Sequence, residues 1–237
     1  MSGFFKSEMA KIIIGKRLEK IASLINGRCL LDIGSDHAKL PIFALQNNLI
    51  DFAFATDLNE LPLLKGKNAA NTFGVTDIEF ILASGLLLPS AVIDKSTDIV
   101  IAGMGGELIA DILDNSDKDR IKGKNLLLQP MTRSEELKRY LLSNGFKINF
   151  EHIVYENKKY FHIIEAVYKG ESVTFTERDL ILGKFDLNDP TVKDYLKFKI
   201  KTIEKTINEI SKSENSKAAE AYAKQLDIFP LMRYKIH

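Results

Sequence analysis

An apolar run followed by an acidic loop is the feature that most constrains the fold of this chain. Residues 29–33 are apolar apart from Asp32, the next residues include Gly34 and Asp36, and a helical pattern begins near Lys39. This order predicts a buried strand, a tight turn and a helix, which form the first unit of a doubly wound α/β sheet. In such sheets a ligand binds beyond the carboxyl ends of the strands, beside this first loop.

The charge of the loop predicts the kind of ligand. A dinucleotide-binding loop carries G-x-G-x-x-G, which lets a pyrophosphate contact bare backbone amides. Here the loop has one glycine, Gly34, and two acids, Asp32 and Asp36. The acids would repel a pyrophosphate and attract a cation. S-adenosylmethionine carries a sulfonium and an ammonium group and fits this charge, whereas a nicotinamide-dependent oxidoreductase is disfavoured.

Further strand–helix units follow the first loop. A strand over residues 52–57 ends in Asp57, a carboxylate placed to bind the hydroxyls of a ribose; capping the next helix is its alternative role. Later strands are predicted at residues 78–82, 97–102, 124–128, 146–155 and 161–168, and helices at 15–25, 39–48, 61–73, 106–113 and 134–143. Five helix-alternating strands and a terminal hairpin predict an α/β fold with a class I, Rossmann-like methyltransferase sheet.

Two more strand ends supply candidate ligand-binding residues. Many methyltransferases carry an acid after the third strand, where it binds the donor adenine, but this chain has Ser84 there. The fourth strand runs into a glycine-rich segment, which predicts close approach of the backbone to a ligand, with tight strand–helix packing as the alternative. The predicted donor-binding residues are Asp32, Gly34, Ser35, Asp36, His37, Asp57, Leu58, Ser84, Gly85, Ala102, Gly103 and Met104.

The pattern changes after residue 170. Residues 171–188 are polar and poorly periodic, which predicts a linker with one short helix around 179–183. Apolar residues spaced three or four apart then predict a helix over 190–210, and a second stripe covers 218–229. We therefore predict two domains, residues 1–170 and 171–237, the second being a linker and an antiparallel coiled coil of helices.

Charge and composition narrow the partners and the location. Basic residues outnumber acids in residues 1–26 and 190–237, which favours a long polyanionic partner, although exposed lysine-rich helices are common. The single cysteine, Cys29, excludes a disulfide framework and a Cys-rich zinc site. There is no apolar run of about 18 residues and no signal-peptide pattern. We expect a cytoplasmic monomer that binds neither a membrane nor a metal ion.

Three motifs, taken in order, resemble one family. They are D-I-G-S-D-H-A-x-L-P at 32–41, A-G-M-G-G at 102–106 and L-Q-P at 128–130. Together with the G-K-R-L start at 15–18 and the helical tail, they resemble the bacterial tRNA (adenine-22-N1)-methyltransferase family. The resemblance implies S-adenosylmethionine as donor and N1 of an adenine in the D-arm region of tRNA as acceptor. Lys39, Ser84 and Met131 depart from the family's usual tyrosine, acid and asparagine.

Individual roles follow from this chemistry. Asp36 is the candidate catalytic carboxylate because methylation at N1 leaves a cationic ring, while binding the donor ammonium is its other candidate role. His37 is a candidate proton shuttle, although a hydrogen-bonded structural role is favoured. Phosphate contacts are assigned to Lys16, Arg17, Lys20 and Arg133. Two alternatives stay open. One is a methyltransferase whose substrate is another RNA site, a small molecule or a protein; the other is a non-catalytic RNA-binding adaptor.

Overall fold

Residues 10–210 are described by the structure, which is a computed structural model. The strands are β1 (Cys29–Ile33), β2 (Phe52–Asp57), β3 (Ile78–Leu82), β4 (Asp98–Gly105), β5 (Asn125–Thr132), β6 (Phe146–Glu156) and β7 (Lys159–Tyr168). The helices are α1 (Lys16–Ser23), α2 (Lys39–Gln46), α3 (Glu60–Thr72), α4 (Ser90–Lys95), α5 (Gly106–Asp114), α6 (Ser134–Ser143), α7 (Glu177–Leu182) and α8 (Pro190–Ile210).

The seven strands form one sheet in the order β3-β2-β1-β4-β5-β7-β6. The five strands β1 to β5 are parallel, and the antiparallel β6–β7 hairpin extends the sheet beside β5. The chain moves outward from β1 to β2 and β3 on one side, and then returns to β4 on the other side. This places a topological switch point between β1 and β4, where ligands bind in open α/β sheets.

Helices cover both faces of the central strands, which explains why these strands are continuous apolar runs. Along β1, Leu30 packs with residues of α1 and α2, whereas Leu31 packs with residues of α5 and α6. Successive side chains of a strand point to opposite faces, so the two leucines belong to two different core layers. The carboxyl end of β1 is thereby held between two layers of helices.

The predicted α/β methyltransferase sheet is confirmed, and the main differences from the prediction concern the ends of β4 and β5 and one additional helix. β4 and β5 continue to Gly105 and Thr132, beyond the predicted ends at residues 102 and 128, because the glycine-rich segment stays in the ladder through shifts of register. The helix α4 was not predicted, since six residues are too few to show a helical period.

The segment after residue 170 packs against the sheet. Leu180 of α7 is buried in the same apolar cluster as residues of β5 and α6. Val192 and Leu196 of α8 are buried with Ile153 of β6. The apolar stripe predicted for a coiled coil therefore contacts the sheet over the first half of α8. The predicted partner helix lies outside the described residues, and the boundary between residues 170 and 171 stays a prediction.

Candidate active site

An open cleft of about 320 Å³ lies beyond the carboxyl ends of β1 and β4. Its walls come from the end of β1, the loop that follows, the glycine-rich end of β4 and the first turns of α1 and α2. Seven of the predicted donor-binding residues meet there: Asp32, Gly34, Ser35, Asp36, Ala102, Gly103 and Met104. The cleft therefore occupies the switch point, where the topology predicts a ligand.

The loop after β1 turns sharply and is tied to β2. Gly34 has φ of 72°, in the left-handed region that glycine adopts freely, and a side chain there would collide with Met104. His37 and Ala38 have φ of 60° and 49°, which costs about 1–2 kcal/mol for each non-glycine residue. The N–H of Ser35 donates to a β2 carbonyl 2.8 Å away. Such strain persists only where the surrounding structure holds it, as at functional loops.

Asp32 places a buried carboxylate at the floor of the cleft. It is 7% exposed, and the hydroxyl of Ser35 donates a hydrogen bond to it. Burial raises the pKa of Asp32 to about 7, against the smaller lowering effects of Ser35 and the charge of Arg17. The ionised form is therefore only partly compensated by the protein, and a bound cation beside it would be stabilised.

Arg17 of α1 lies in this cleft and faces Asp32. Its Nη1 donates to Oε1 of Gln129, 2.6 Å away, and its guanidinium sits over the ring of Phe161 with 5.6 Å to the centroid. The side chain is half-buried, and this burial lowers the pKa of Arg17, opposed by the negative charges of Glu156 and Asp32. The sequence predicts a phosphate contact for Arg17, and in the structure its side chain lines the candidate donor cleft.

The end of β4 leaves open space in the cleft. Shifts of register relative to β5 occur on both sides of Met104, and Gly103 has φ of 81°. A Cβ atom added to Gly103 would meet nothing within 4 Å, so the backbone is accessible from the cleft. The Gly103 N–H donates to Oε1 of Gln129, 3.2 Å away. Bulges of this kind often lie next to active sites.

The remaining predicted donor residues lie at the ends of the next two strands. Asp57 ends β2, and its carbonyl accepts the N–H of Ala83, which links it to the loop containing Ser84 and Gly85. The Asp57 carboxylate also accepts the backbone N–H of Asn59, 2.9 Å away, at the start of α3. Neither Asp57 nor Ser84 lines the cleft itself, and Leu58 is an exposed side chain. They extend the edge of the sheet beyond the cleft.

Asp36 and His37 lie together at the mouth of the cleft. Asp36 is exposed, and the His37 Nε2 is 3.3 Å from one of its carboxylate oxygens. Asp36 lines the cleft, whereas His37 does not. The exposed carboxylate is thus accessible to a second substrate.

The other predicted phosphate contacts do not line the cleft. Lys16 is exposed at the start of α1, where its N–H donates to Glu156, 2.7 Å away. Lys20 is half-buried one turn later in α1. Arg133 follows β5 and forms an ion pair with Glu107, 2.6 Å apart, in which both side chains are more than half exposed. None of these three residues lines the cleft, whereas Arg17 does.

Gln129 is the site residue to which the sequence assigned no role. The L-Q-P motif itself contains no signal that the Gln129 side chain contacts α1. Gln129 is fully buried, and its amide oxygen accepts the N–H groups of Arg17 and Gly103. It therefore connects β5 to α1 and to β4.

The residues of the cleft fit a cationic ligand with a nucleoside portion. The undercompensated carboxylate of Asp32 suits an ammonium or sulfonium group, and the open space over Gly103 admits a ligand against the backbone. S-adenosylmethionine has both features. Within residues 10–210, no helix combines the length and apolar character that a membrane crossing requires.

Comparison with known proteins places the chain among the methyltransferases. Residues 14–164 match a family model described as a methyltransferase domain. The tRNA (adenine(22)-N(1))-methyltransferase of Bacillus subtilis is 33% identical over 189 residues, which cover 75% of this chain and 76% of that protein. The chain belongs to the tRNA (adenine-22-N1)-methyltransferase family.

Solved structures agree with membership of this methyltransferase family. TrmK of M. capricolum, in complex with S-adenosyl-homocysteine, has a TM-score of 0.77 and 27% identity, covering 94% of this chain and 99% of that one. A Streptococcus agalactiae protein described as a member of the NADB-Rossmann superfamily has a TM-score of 0.79 and 33% identity, covering 96% and 99%. The family resemblance stated from the sequence motifs is therefore confirmed.

Proposed function

We propose that this chain transfers a methyl group from S-adenosylmethionine to N1 of an adenine in tRNA, at the position 22 for which its family is named. The proposal rests mainly on the buried carboxylate of Asp32, whose ionised form a bound cation would stabilise. This carboxylate lies in an open cleft at the switch point of a methyltransferase sheet. The Bacillus subtilis relative is named for methylation of adenine 22, and M. capricolum TrmK binds S-adenosyl-homocysteine, the product that this donor leaves. Both support the same reaction.

The donor is held by residues of three strand ends. When bound, S-adenosylmethionine supplies an electrophilic methyl group. Asp32 binds the positive charge of its amino-acid portion, and Arg17, on the other wall, binds the carboxylate on the same carbon. Asp57 accepts hydrogen bonds from the ribose hydroxyls. The bare backbone at Gly103 lets the ligand lie close to the sheet.

The acceptor needs alignment more than activation. N1 of adenine has an in-plane lone pair that is mostly unprotonated at neutral pH, so no strong base is required. The ring becomes cationic as it is methylated, and the exposed Asp36 carboxylate at the mouth of the cleft stabilises that charge. The target base is drawn out of its stack to reach this position.

The tRNA backbone is contacted outside the cleft. Lys16 and Lys20 of α1 and Arg133 after β5 lie outside the cleft lining, and they are the phosphate-binding residues of this proposal. Arg17 is left out of this set because its side chain lines the cleft together with Asp32.

The reaction is tested by mapping methylated nucleosides. The protein is incubated with S-adenosylmethionine and an unmodified tRNA transcript, and the digested RNA is analysed by chromatography and mass spectrometry. We expect 1-methyladenosine to form in a transcript with adenine at position 22 and not in a matched transcript with guanine there. Methylation of a different nucleoside, or of N6 in place of N1, would contradict the proposal, as would donor binding without transfer.

A further inference from the structure

Both ends of the Gln129 side-chain amide form hydrogen bonds beside the candidate site. It is buried at the end of β5, and its Oε1 accepts Nη1–H of Arg17 at 2.6 Å and the N–H of Gly103 at 3.2 Å. Its Nε2 donates to the carbonyl of Pro130, 2.8 Å away. The Nε2 bond fixes the orientation of the amide, so that Oε1 faces Arg17 and Gly103.

The two bonds to Oε1 serve two different parts of the cleft. The Gly103 N–H lies where the β4–β5 ladder shifts register, and the Gln129 oxygen gives it an acceptor there. The Arg17 bond restrains a long, flexible side chain that otherwise contacts the face of Phe161. One oxygen therefore sets the relative position of the α1 guanidinium and the β4 backbone.

This arrangement predicts a role toward the donor and not only in packing. Arg17 and Lys39 are the basic side chains among the described residues lining the cleft, and Lys39 is exposed. Of the two, Arg17 is held in place by Gln129. It lies near Asp32, which would bind the ammonium of the donor's amino-acid portion. A guanidinium fixed in advance loses less conformational entropy when it binds a carboxylate.

We propose that Gln129 is a positioning residue, which holds Arg17 and the Gly103 backbone in the arrangement that recognises the carboxylate of the methyl donor. The inference rests on the proposed function and adds the origin of its selectivity for a carboxylate-bearing donor. Gln129 itself does not touch the reacting atoms.

The test compares two donors that differ only in the carboxylate. Binding of S-adenosylmethionine and of decarboxylated S-adenosylmethionine is measured by calorimetry for the full chain and for Gln129→Met. Methionine has a similar volume and no comparable acceptor. We expect the affinity for S-adenosylmethionine to fall about tenfold, as for loss of a hydrogen bond to a charged group, and that for the decarboxylated donor to change less than about twofold.

A second variant keeps the test decisive if Gln129→Met does not fold. Gln129→Glu retains an acceptor for both N–H groups but balances the charge of Arg17. It too should lose preference for the carboxylate-bearing donor. Arg17→Met should abolish the preference, and Gln129→Met added to it should have no further effect.

An unchanged preference in both folded Gln129 variants would overturn the inference, as would equal losses for the two donors, which indicate a packing role alone. Failure of the unaltered chain to bind either donor would instead refute the proposed function. Circular dichroism of each variant establishes that it is folded before binding is compared.

Discussion

Asp32 combines burial with a position in the candidate donor site, and the two have opposite effects on its charge. Its pKa of about 7 means that the folded, donor-free protein retains a proton that the unfolded chain releases near pH 4. The folded state is thus favoured at low pH, and this contribution is lost as the pH rises from about 4 to about 7. Binding of a cationic donor requires the ionised carboxylate and acts in the other direction.

Donor affinity should therefore rise with pH in a range where the donor ammonium stays protonated. We expect an increase of about tenfold in the affinity for S-adenosylmethionine between pH 5.5 and 7, because the ionised fraction of Asp32 grows over that range. Calorimetry in buffers of different ionisation enthalpy would show release of a proton on binding. A pH-independent affinity would contradict the assignment of Asp32 to the donor.

Replacement of Asp32 by asparagine should separate stability from binding. Asp32→Asn removes a buried group that ionises, so the donor-free variant should be more stable than the unaltered chain at pH 8, by up to about 3 kcal/mol. Its affinity for S-adenosylmethionine should fall by at least about tenfold. Urea unfolding and calorimetry measure the two effects. A variant that binds the donor normally would remove Asp32 from the site.

Lys16 and Arg17 are adjacent basic residues with different predicted roles. Lys16 is exposed, so Lys16→Ala should weaken tRNA binding and reduce the slope of its salt dependence by about 1, with donor affinity unchanged. Arg17→Ala should lower donor affinity about tenfold and leave the salt slope nearly unchanged. Filter binding at several salt concentrations and calorimetry provide the readouts. The reverse pattern would return Arg17 to the phosphate-binding set.

At the scale of single elements, the sequence predicted the strands well where the apolar runs are continuous. β1, β2 and β3 have their predicted bounds because each ends at a polar residue or a turn, although β3, at the edge of the sheet, is only partly buried. The end of β4 was predicted as a loop, since three glycines disfavour a strand, yet the ladder continues through a bulge. The extension depends on pairing with β5, which no local pattern reveals.

The candidate site divides in the same way. Residue type and position directly after a strand are enough to predict the acids and glycines of the first loop and of the β4 end as site residues. Arg17 and Gln129 do not, because their contact joins residues 112 positions apart in sequence. Helical periodicity places Arg17 on a polar face of α1, but it cannot show that β5 and β7 meet that face.

A buried ionic cluster joins α6 to the β6–β7 hairpin. Glu151 lies 2.9 Å from Nζ of Lys138 and 2.6 Å from Nε2 of His162, and it also accepts the N–H of Lys184 at 2.8 Å. Burial alone would raise the pKa of Glu151, but the bond from His162 and the charge of Lys138 lower it to about 2. The cluster ties the segment between α7 and α8 to the sheet.

Neutralising Glu151 should destabilise the fold strongly. Glu151→Gln leaves Lys138 buried without its counter-charge, and we expect a loss of about 3 kcal/mol in the free energy of unfolding at pH 7. The stability that Glu151 contributes is present above its unfolded pKa and is lost as the pH falls from about 4.5 to about 2, so the variant should decline less over that range. Urea unfolding at several pH values measures both effects.

The matched control is Asp51→Asn, which breaks the ion pair of Asp51 with Arg28 on the surface. Both of those side chains are more than half exposed, so no measurable change in unfolding is expected. Equal effects of the two substitutions would show that the buried cluster is not a stabilising element.

At the scale of the whole molecule, α8 shares a core with the sheet. Leu196 is fully buried with Ile153 of β6, although the sequence predicted that α8 begins a separate helical domain. We expect Leu196→Ala to lower the free energy of unfolding by about 3 kcal/mol in a single transition that includes the sheet. The neighbouring Lys197→Ala, on an exposed position, should change it by less than about 0.5 kcal/mol.

Far-UV circular dichroism during urea unfolding, together with hydrogen exchange in β6 and α8, distinguishes the two arrangements. Two separate transitions, with only the helical one shifted by Leu196→Ala, would contradict this expectation and favour the predicted division into two domains.

The most direct test of the whole account is a crystal structure of the chain with S-adenosylmethionine bound. We predict the amino-acid portion of the donor between Asp32 and Arg17, its ribose at Asp57, and its methyl group directed toward the mouth of the cleft near Asp36. A donor bound away from the carboxyl ends of β1 and β4 would contradict the account, as would one whose ammonium group makes no contact with Asp32.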